Sequence, residues 1–238
     1  MIVETTQGNI EWQLPESTKT IMMKISGGLD SAITLYMLCK YIQSNNLNIS
    51  IVPQTTNDWQ KPYQVNFSTN VVSWMKNHFP KITFLPHETL QLNHGDDYIK
   101  GQENHRSEII KRYQNAGNPI DVVVSGPNRK PPKKICETFI DKETGKPHTG
   151  PTDDRTGDQP NWSGKSFYPI RNIDKQGIAE LYTYYNLHET LAKITRSCEG
   201  SDPEQTNNFT THCGECCGAK KEHGDLDIYD QNIFQTID

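Results

Sequence analysis

Along most of the chain, short apolar runs alternate with segments that carry apolar residues at helical spacing. Residues 20–26 are the first such run and predict a buried strand, and the segment that follows, to about residue 44, predicts an amphipathic helix. Residues 49–53 predict a second strand, which Pro53 is expected to end. A strand, a helix and a strand at this spacing predict a parallel unit with a right-handed crossover.

The same alternation continues towards the carboxyl-terminal third. In chain order, the further predicted elements are a short strand or hairpin within residues 1–19, a helix at 65–78, a strand at 82–85, a helix at 103–116, a strand at 120–124, a helix capped by Asp174 and a helix at about 188–194. This order predicts an α/β fold with a parallel, doubly wound sheet. Between about residues 130 and 165 no periodicity survives and prolines and glycines are frequent, so we expect a long insertion there.

Composition and charge narrow the class of protein. A chain of 238 residues fits one large domain or one domain with an appendage, and its hydrophobic content of 33% predicts long polar loops around a modest core. The net charge of −5, with both signs interspersed, argues against an extended nucleic-acid surface. No basic start followed by an apolar stretch and no membrane-length apolar run is present, so we expect a soluble, cytoplasmic protein with no membrane partner.

The turn between the first predicted strand and helix carries the clearest candidate chemistry. It consists of Ser26-Gly27-Gly28-Leu29-Asp30-Ser31. Two glycines let the backbone adopt a tight turn and approach a ligand, and the first N–H groups of the helix then form an anion cradle. The amino-acid sequence of this turn matches neither a Walker loop nor a dinucleotide-binding fingerprint. Ligands of such sheets bind beyond the carboxyl ends of the strands, so residues 53–59 are also expected to border the site.

The six cysteines are concentrated near the carboxyl terminus. Cys213 and Cys216 have C-x2-C spacing, and Cys198 supplies a third thiolate. Three thiolates in this arrangement predict a structural Zn²⁺ site, which needs a fourth ligand. Cys217 is favoured for that position, and His212 and His223 are the alternatives.

The glycine turn resembles the signature of the PP-loop ATP pyrophosphatases. Further matches resemble one branch of them, the 7-cyano-7-deazaguanine synthases; they are Pro169-Ile170, Lys175 with Ile178, Thr195-x-Ser197-Cys198 and Cys213-Gly214-x-Cys216. The resemblance implies an adenine nucleotide alpha hydrolase-like domain over residues 1–195, with the insertion at about 130–165, and a zinc-binding tail over 196–238. The chain departs from this family where the last zinc cysteine is expected, because Ala219 stands there.

The resemblance also implies a reaction and the residues that serve it. With ATP and Mg²⁺, such an enzyme adenylates the carboxylate of a 7-deazaguanine with release of pyrophosphate, and ammonia displaces AMP to give an amide. A second adenylation, on the amide, and loss of AMP then give the nitrile. The residues implied to bind the phosphates are Ser26, Gly27, Gly28, Leu29, Asp30 and Ser31. Lys175 is implied to neutralise the developing charge, with Arg171 as the alternative, and Asp30 either holds Mg²⁺ indirectly or braces the loop.

Two other functions stay open at this point. A tRNA thiolase would use the same adenylation on a base oxygen, although it would need a basic RNA surface and a sulfur-carrying cysteine. A nucleotide-binding or zinc-structured protein without catalysis is the second alternative. A homodimer is compatible with each of these functions.

Overall fold

A seven-stranded, mostly parallel sheet lies at the centre of the fold in the computed structural model, which describes residues 1–59, 61–129 and 158–197. The strands are β1 (Ile2–Thr5), β2 (Gly8–Glu11), β3 (Thr20–Lys24), β4 (Ser50–Asn57), β5 (Thr83–Phe84), β6 (Glu88–Gln91), β7 (Val122–Val124), β8 (Trp162–Ser163) and β9 (Ser166–Phe167). The helices are α1 (Leu29–Ser44), α2 (Gln64–His78), α3 (Tyr98–Asn115) and α4 (Lys175–Tyr184), followed by a 3-10 turn at Ala192–Ile194.

The strand order is β5-β4-β3-β7-β9-β8, and β6 also pairs with β4 beyond the end of β5. All neighbours in this sheet are parallel except β8 and β9, while β1 and β2 form a separate antiparallel hairpin. The chain builds the sheet outwards from β3 in one direction and then returns to add β7 on the other side. The crevice between the carboxyl ends of β3 and β7 is therefore a topological switch point, where ligands of such sheets bind.

Both faces of the sheet are covered. On one face, alternate residues such as Ile21, Ile51 and Val122 join the main core together with α1, α2 and α4. On the other face, Met22 and Val52 pack with residues of and after α3. This arrangement confirms the predicted α/β class with a parallel-dominated sheet. The predicted zinc appendage lies outside the described residues.

The expected end of the second strand at Pro53 is wrong, because β4 continues to Asn57. The N–H groups of β4 alternate in direction, and Ser50 donates to Lys19 on the β3 side, so residue 53 faces the opposite side. There, β5 pairs with residues 50 and 51, and β6 pairs with residues 54–57. Residue 53 therefore lies in the gap between two partner strands, where its missing N–H interrupts neither ladder.

Other elements differ from prediction at the edges of the sheet. The helix expected at about 188–194 is only the 3-10 turn Ala192–Ile194, and α3 begins five residues earlier than expected, at Tyr98. Strands β6, β8 and β9 were not predicted, since they are short and carry no apolar run. The hairpin within residues 1–19 and the βαβ unit of β3, α1 and β4 are confirmed. Within the described ranges, every helix is too short or too polar to cross a membrane.

Candidate functional site

The predicted glycine turn lies at the switch point, between β3 and the first turn of α1. Gly27 has a φ of +83°, and a Cβ at this position would lie 2.7 Å from both Phe67 Cβ and the Ser68 backbone nitrogen of α2. Gly126, after β7, approaches from the other side, because a Cβ there would lie 2.9 Å from Asp30 O. Each glycine therefore allows a backbone approach that a side chain would block, and the loop is held between α2 and the β7 end.

Two serine hydroxyls line the turn. The Ser31 hydroxyl donates to Gly28 O at 3.0 Å, so its oxygen accepts from Ser26 N, 3.2 Å away. The Ser26 hydroxyl lies 3.1 Å from Ser31 Oγ and is exposed, whereas Ser31 is buried. A hydroxyl carries one hydrogen. With the Ser31 hydrogen committed to Gly28, Ser26 is the serine that can turn its hydrogen towards a bound anion.

Lys175 brings a positive charge to the same turn. Its Nζ lies 2.6 Å from Asp30 Oδ1 and 2.5 Å from Asp30 Oδ2, and both side chains are largely shielded from solvent. Lys175 is the first residue of α4, which Asp174 caps by accepting from Gln176 N at 2.8 Å. The cap fixes where the helix begins and thereby directs the Lys175 side chain towards the first turn of α1.

Arg171, the alternative to Lys175, has different contacts. Its guanidinium lies 5.2 Å from the centre of the Tyr168 ring and donates to Pro160 O at 3.3 Å. The structure therefore pairs Lys175, and not Arg171, with Asp30.

Residues 195–197, which we call the strap, return to the glycine turn. Arg196 N donates to Gly27 O at 2.9 Å, and Leu29 N donates to Ser197 Oγ at 3.2 Å. The Arg196 side chain is buried and its guanidinium lies 4.7 Å from the centre of the Tyr63 ring. These contacts hold the strap against the glycine turn. The N-cap residue of α1 makes no side-chain hydrogen bond to the helix, so Ser197 supplies a contact that a capping side chain would otherwise make.

A cavity opens beside the turn, on the face of the sheet that α3 covers. Its lining residues are Lys24, Ile25, Ser26, Ser31, Gln54, Thr56, Tyr98, Gln102, Ser125 and Gly126. The two serines of the turn form one wall, and polar side chains from β3, β4 and α3 form the other. The cavity is therefore continuous with the candidate anion site and polar on both sides.

Lys24 and His105 set the charge of the far wall. Burial lowers the pKa of Lys24, whose Nζ donates to Gln102 Oε1 at 2.9 Å. Burial also lowers the pKa of His105, whose Nδ1 lies 3.0 Å from both Gln54 Nε2 and Thr56 Oγ1. A neutral His105 can accept at Nδ1, so the wall has one cation, Lys24, beside a neutral hydrogen-bonded group.

The structure brings together most of the site residues named from the sequence. Ser26, Gly27, Gly28, Leu29, Asp30, Ser31 and Lys175 meet at one turn. The predicted zinc ligands Cys198, Cys213, Cys216 and Cys217, with the alternatives His212 and His223, lie outside the described residues. Among residues 1–59, 61–129 and 158–197, no three His, Cys, Asp or Glu side chains are grouped as a metal site.

Residues 53–59 were expected to border the site, and Gln54 and Thr56 of this stretch line the cavity, whereas sequence reasoning missed Lys24, α3 and the contacts of the strap. In the sequence, Lys24 is only a polar position in a predicted buried strand, and Gln54 lies beyond the expected strand end. The sequence did contain a partial indication that Lys24 and Gln54 contact a ligand, because polar residues at the carboxyl ends of parallel strands are candidates for such contact.

Comparisons with solved structures give several likenesses, including the two that follow. No protein-family model and no curated protein matches the chain. The chain is similar to the U34-tRNA thiolase NcsA from Methanococcus maripaludis with its [4Fe-4S] cluster, at 16% identity and a TM-score of 0.43, over 72% of this chain and 57% of that one. It is also similar to the NAD+ synthetase from Burkholderia pseudomallei, at 13% identity and a TM-score of 0.37, over 91% of this chain and 73% of that one. Both TM-scores lie below 0.5, so the assignment of the site rests on its own geometry.

Proposed function

We propose that the protein binds ATP with its phosphates on the glycine turn and cleaves it between the α and β phosphates. The observation that carries this proposal is the turn itself: a helix N-terminus at the switch point of a parallel sheet, with an exposed serine hydroxyl and the Lys175–Asp30 pair beside it. Backbone N–H groups, a hydroxyl and an ammonium are the donors that stabilise a departing pyrophosphate.

The residues present fit a triphosphate and its magnesium ion. The glycines let the turn pack tightly against α2 and the strap, and the exposed Ser26 hydroxyl and the N-terminus of α1 are the groups that offer donors to phosphate oxygens. Magnesium, which neutralises phosphate charge when bound, usually takes one or two carboxylates and keeps several waters. Asp30 is the carboxylate of the turn, and its contact with Lys175 makes it a brace that holds the ammonium towards the phosphates.

The proposed acceptor is the carboxylate of a 7-deazaguanine, which adenylation activates for attack by ammonia. Motif matches support this substrate: Lys175 and Ser197, which contact the turn, and Ile178, on the core side of α4, are positions at which the chain matches the 7-cyano-7-deazaguanine synthases. We further propose that Cys198, which follows the strap directly, binds zinc with Cys213, Cys216 and Cys217, and that the enzyme acts as a homodimer in the cytoplasm.

The direct test is to incubate the purified protein with ATP, magnesium, ammonium and 7-carboxy-7-deazaguanine and to measure the product masses. The expected products are the 7-amido or 7-cyano compound, AMP and pyrophosphate, formed only when ammonium is present. Asp30→Ala is expected to abolish turnover while the protein stays folded, because Asp30 lies at the rim of the sheet.

A different product would change the assignment. Sulfur incorporated into tRNA, with no reaction of the deazapurine, would favour a thiolase. ATP that binds but is never converted would favour a nucleotide-binding protein without catalysis.

A further inference from the structure

Gln54 carries a buried acceptor with no partner in the part of the chain that the structure describes. Its side chain lines the cavity and is 1% exposed, yet its Oε1 accepts no hydrogen bond from residues 1–59, 61–129 or 158–197. Buried side-chain oxygens are nearly always paired, and an unpaired one costs stability. A core residue would be selected to avoid this cost, so the unpaired carbonyl of Gln54 indicates a ligand that donates to it.

The neighbours of Gln54 fix which end of its amide is left unpaired. Nε2 lies 2.8 Å from Thr56 Oγ1 and 3.0 Å from His105 Nδ1. Nε2 donates to Thr56 Oγ1, and His105 Nδ1 is a second acceptor in the Nε2–H tautomer of the neutral ring, so the amide is turned with its N–H groups towards this pair. The oxygen is then the atom that Gln54 offers to a ligand.

Lys24 is the neighbour of Gln54 across the sheet. Lys24 and Gln54 are direct partners in the parallel register of β3 and β4, and both line the cavity. An ammonium has three donors, of which one is directed at Gln102 Oε1. The wall therefore presents an acceptor next to a donor, which is complementary to an amino group next to a ring nitrogen on a flat heterocycle.

We propose that Gln54 selects a 6-aminopurine by accepting a hydrogen bond from its exocyclic amino group, with Lys24 donating to the adjacent ring nitrogen. This inference rests on the proposed function, since it requires that the phosphates of the same nucleotide occupy the glycine turn across the cavity. A 6-oxopurine places a carbonyl oxygen against Gln54 Oε1, and a purine without a 6-substituent leaves that oxygen unpaired. Both should bind more weakly.

The wild-type protein alone can test this. Calorimetry would compare ATP, inosine triphosphate, purine riboside triphosphate and pyrophosphate in the presence of magnesium. We expect ATP to bind on the order of 10- to 100-fold more tightly than either analogue, as loss of the partner of a buried acceptor implies. Equal affinities for the three triphosphates would overturn the inference and leave the proposed function intact. If neither ATP nor pyrophosphate binds, both are overturned.

Substitution of Gln54 tests whether this residue is the source of the preference for ATP over the two analogues. Gln54→Met keeps the length of the side chain and removes the acceptor, so the preference for ATP should fall to about twofold or less while pyrophosphate affinity stays the same. Gln114→Met, at an exposed position of α3, is the matched control and should leave the preference unchanged. A Gln54→Met protein that is folded by circular dichroism and still prefers ATP by tenfold would contradict the assignment to Gln54.

Discussion

The ammonium of Lys175 lies 2.6 and 2.5 Å from the two carboxylate oxygens of Asp30, although 145 residues separate them in the chain. Asp30 is in the first turn of α1 and Lys175 opens α4, so the pair joins the two helices at the anion loop. A cation that is largely shielded from solvent needs a partner, and a carboxylate that holds it in place also pre-orients it for a ligand. The pair is therefore both a structural contact and the proposed source of positive charge.

Removal of this ammonium should slow the reaction. Lys175→Ala is expected to lower the rate of AMP release by roughly 10²-fold, by analogy with the loss of one preorganised donor. The rate is measured in steady state with saturating ATP. Lys165→Ala, at an exposed position before β9, is the matched control and should leave the rate unchanged.

The same rate measurement distinguishes the role of Lys175 from that of Arg171. Arg171 is engaged with Tyr168 and Pro160, so Arg171→Ala should have a smaller effect on the rate than Lys175→Ala. A mild effect at Lys175 together with a severe one at Arg171 would transfer the role to the arginine.

The two glycines of the turn should respond differently to alanine. Gly27→Ala forces a Cβ onto a residue with φ of +83° and against the backbone of Ser68, so we expect it to lower the free energy of unfolding by roughly 2 kcal/mol or more. A Cβ at Gly28 would lie 3.3 Å from Ser197 Oγ, and its φ is −88°, so Gly28→Ala should cost about 1 kcal/mol or less. Urea denaturation measures both. Equal losses would contradict the described turn.

Acid should destabilise the protein partly through His87. Burial, with a smaller contribution from Lys76, lowers the pKa of His87 to about 4, and Thr55 holds its Nε2 at 2.9 Å. The Thr55 hydroxyl donates to Ile25 O, so it accepts from His87 Nε2–H, and the proton is added at Nδ1. The unfolded chain binds this proton near pH 6.5, so stability is complete above that value and is lost as the pH falls towards 4.

The measurement compares denaturation of the wild type and His87→Gln at pH 7 and pH 5. Glutamine can still donate to Thr55 but does not titrate. The wild type should lose about 1 kcal/mol more than the variant between the two pH values, after allowance for solvent screening. An identical loss in both proteins would show that His87 does not contribute.

The cysteines predict one zinc ion per chain. Protein purified without chelator should contain zinc, and X-ray absorption should show four sulfur ligands if Cys217 completes the set with Cys198, Cys213 and Cys216. Three sulfurs and one nitrogen would assign the fourth position to His212 or His223. Absence of zinc would refute the predicted centre.

The sequence predicted the central part of the fold because its signals there are strong. The apolar run before Ser26 and the helical spacing after Ser31 define β3 and α1, and two adjacent glycines between a strand and a helix indicate a tight turn. The edges were missed for physical reasons: β6, β8 and β9 are short, and their pairing depends on neighbours distant in sequence.

From local patterns alone, the site was predictable only where one segment supplies it, and Lys175 was named through the family resemblance. The glycine turn is contiguous, so its residues could be named together. Gln54 lies beyond a proline that sequence rules treat as a strand end, and only the gap between β5 and β6 makes that proline tolerable. Its relation to Lys24 depends on strand register and its relation to His105 on α3, neither of which a single sequence encodes locally.

The central claim is that the glycine turn grips the pyrophosphate end of ATP, and the bond that is cleaved tests it most directly. Phosphorus NMR of a reaction with magnesium, ammonium and 7-carboxy-7-deazaguanine distinguishes the products without coupling enzymes. The account predicts AMP and pyrophosphate in equal amounts, formed in step with consumption of the deazapurine and lost in Asp30→Ala. Release of ADP and inorganic phosphate would contradict it.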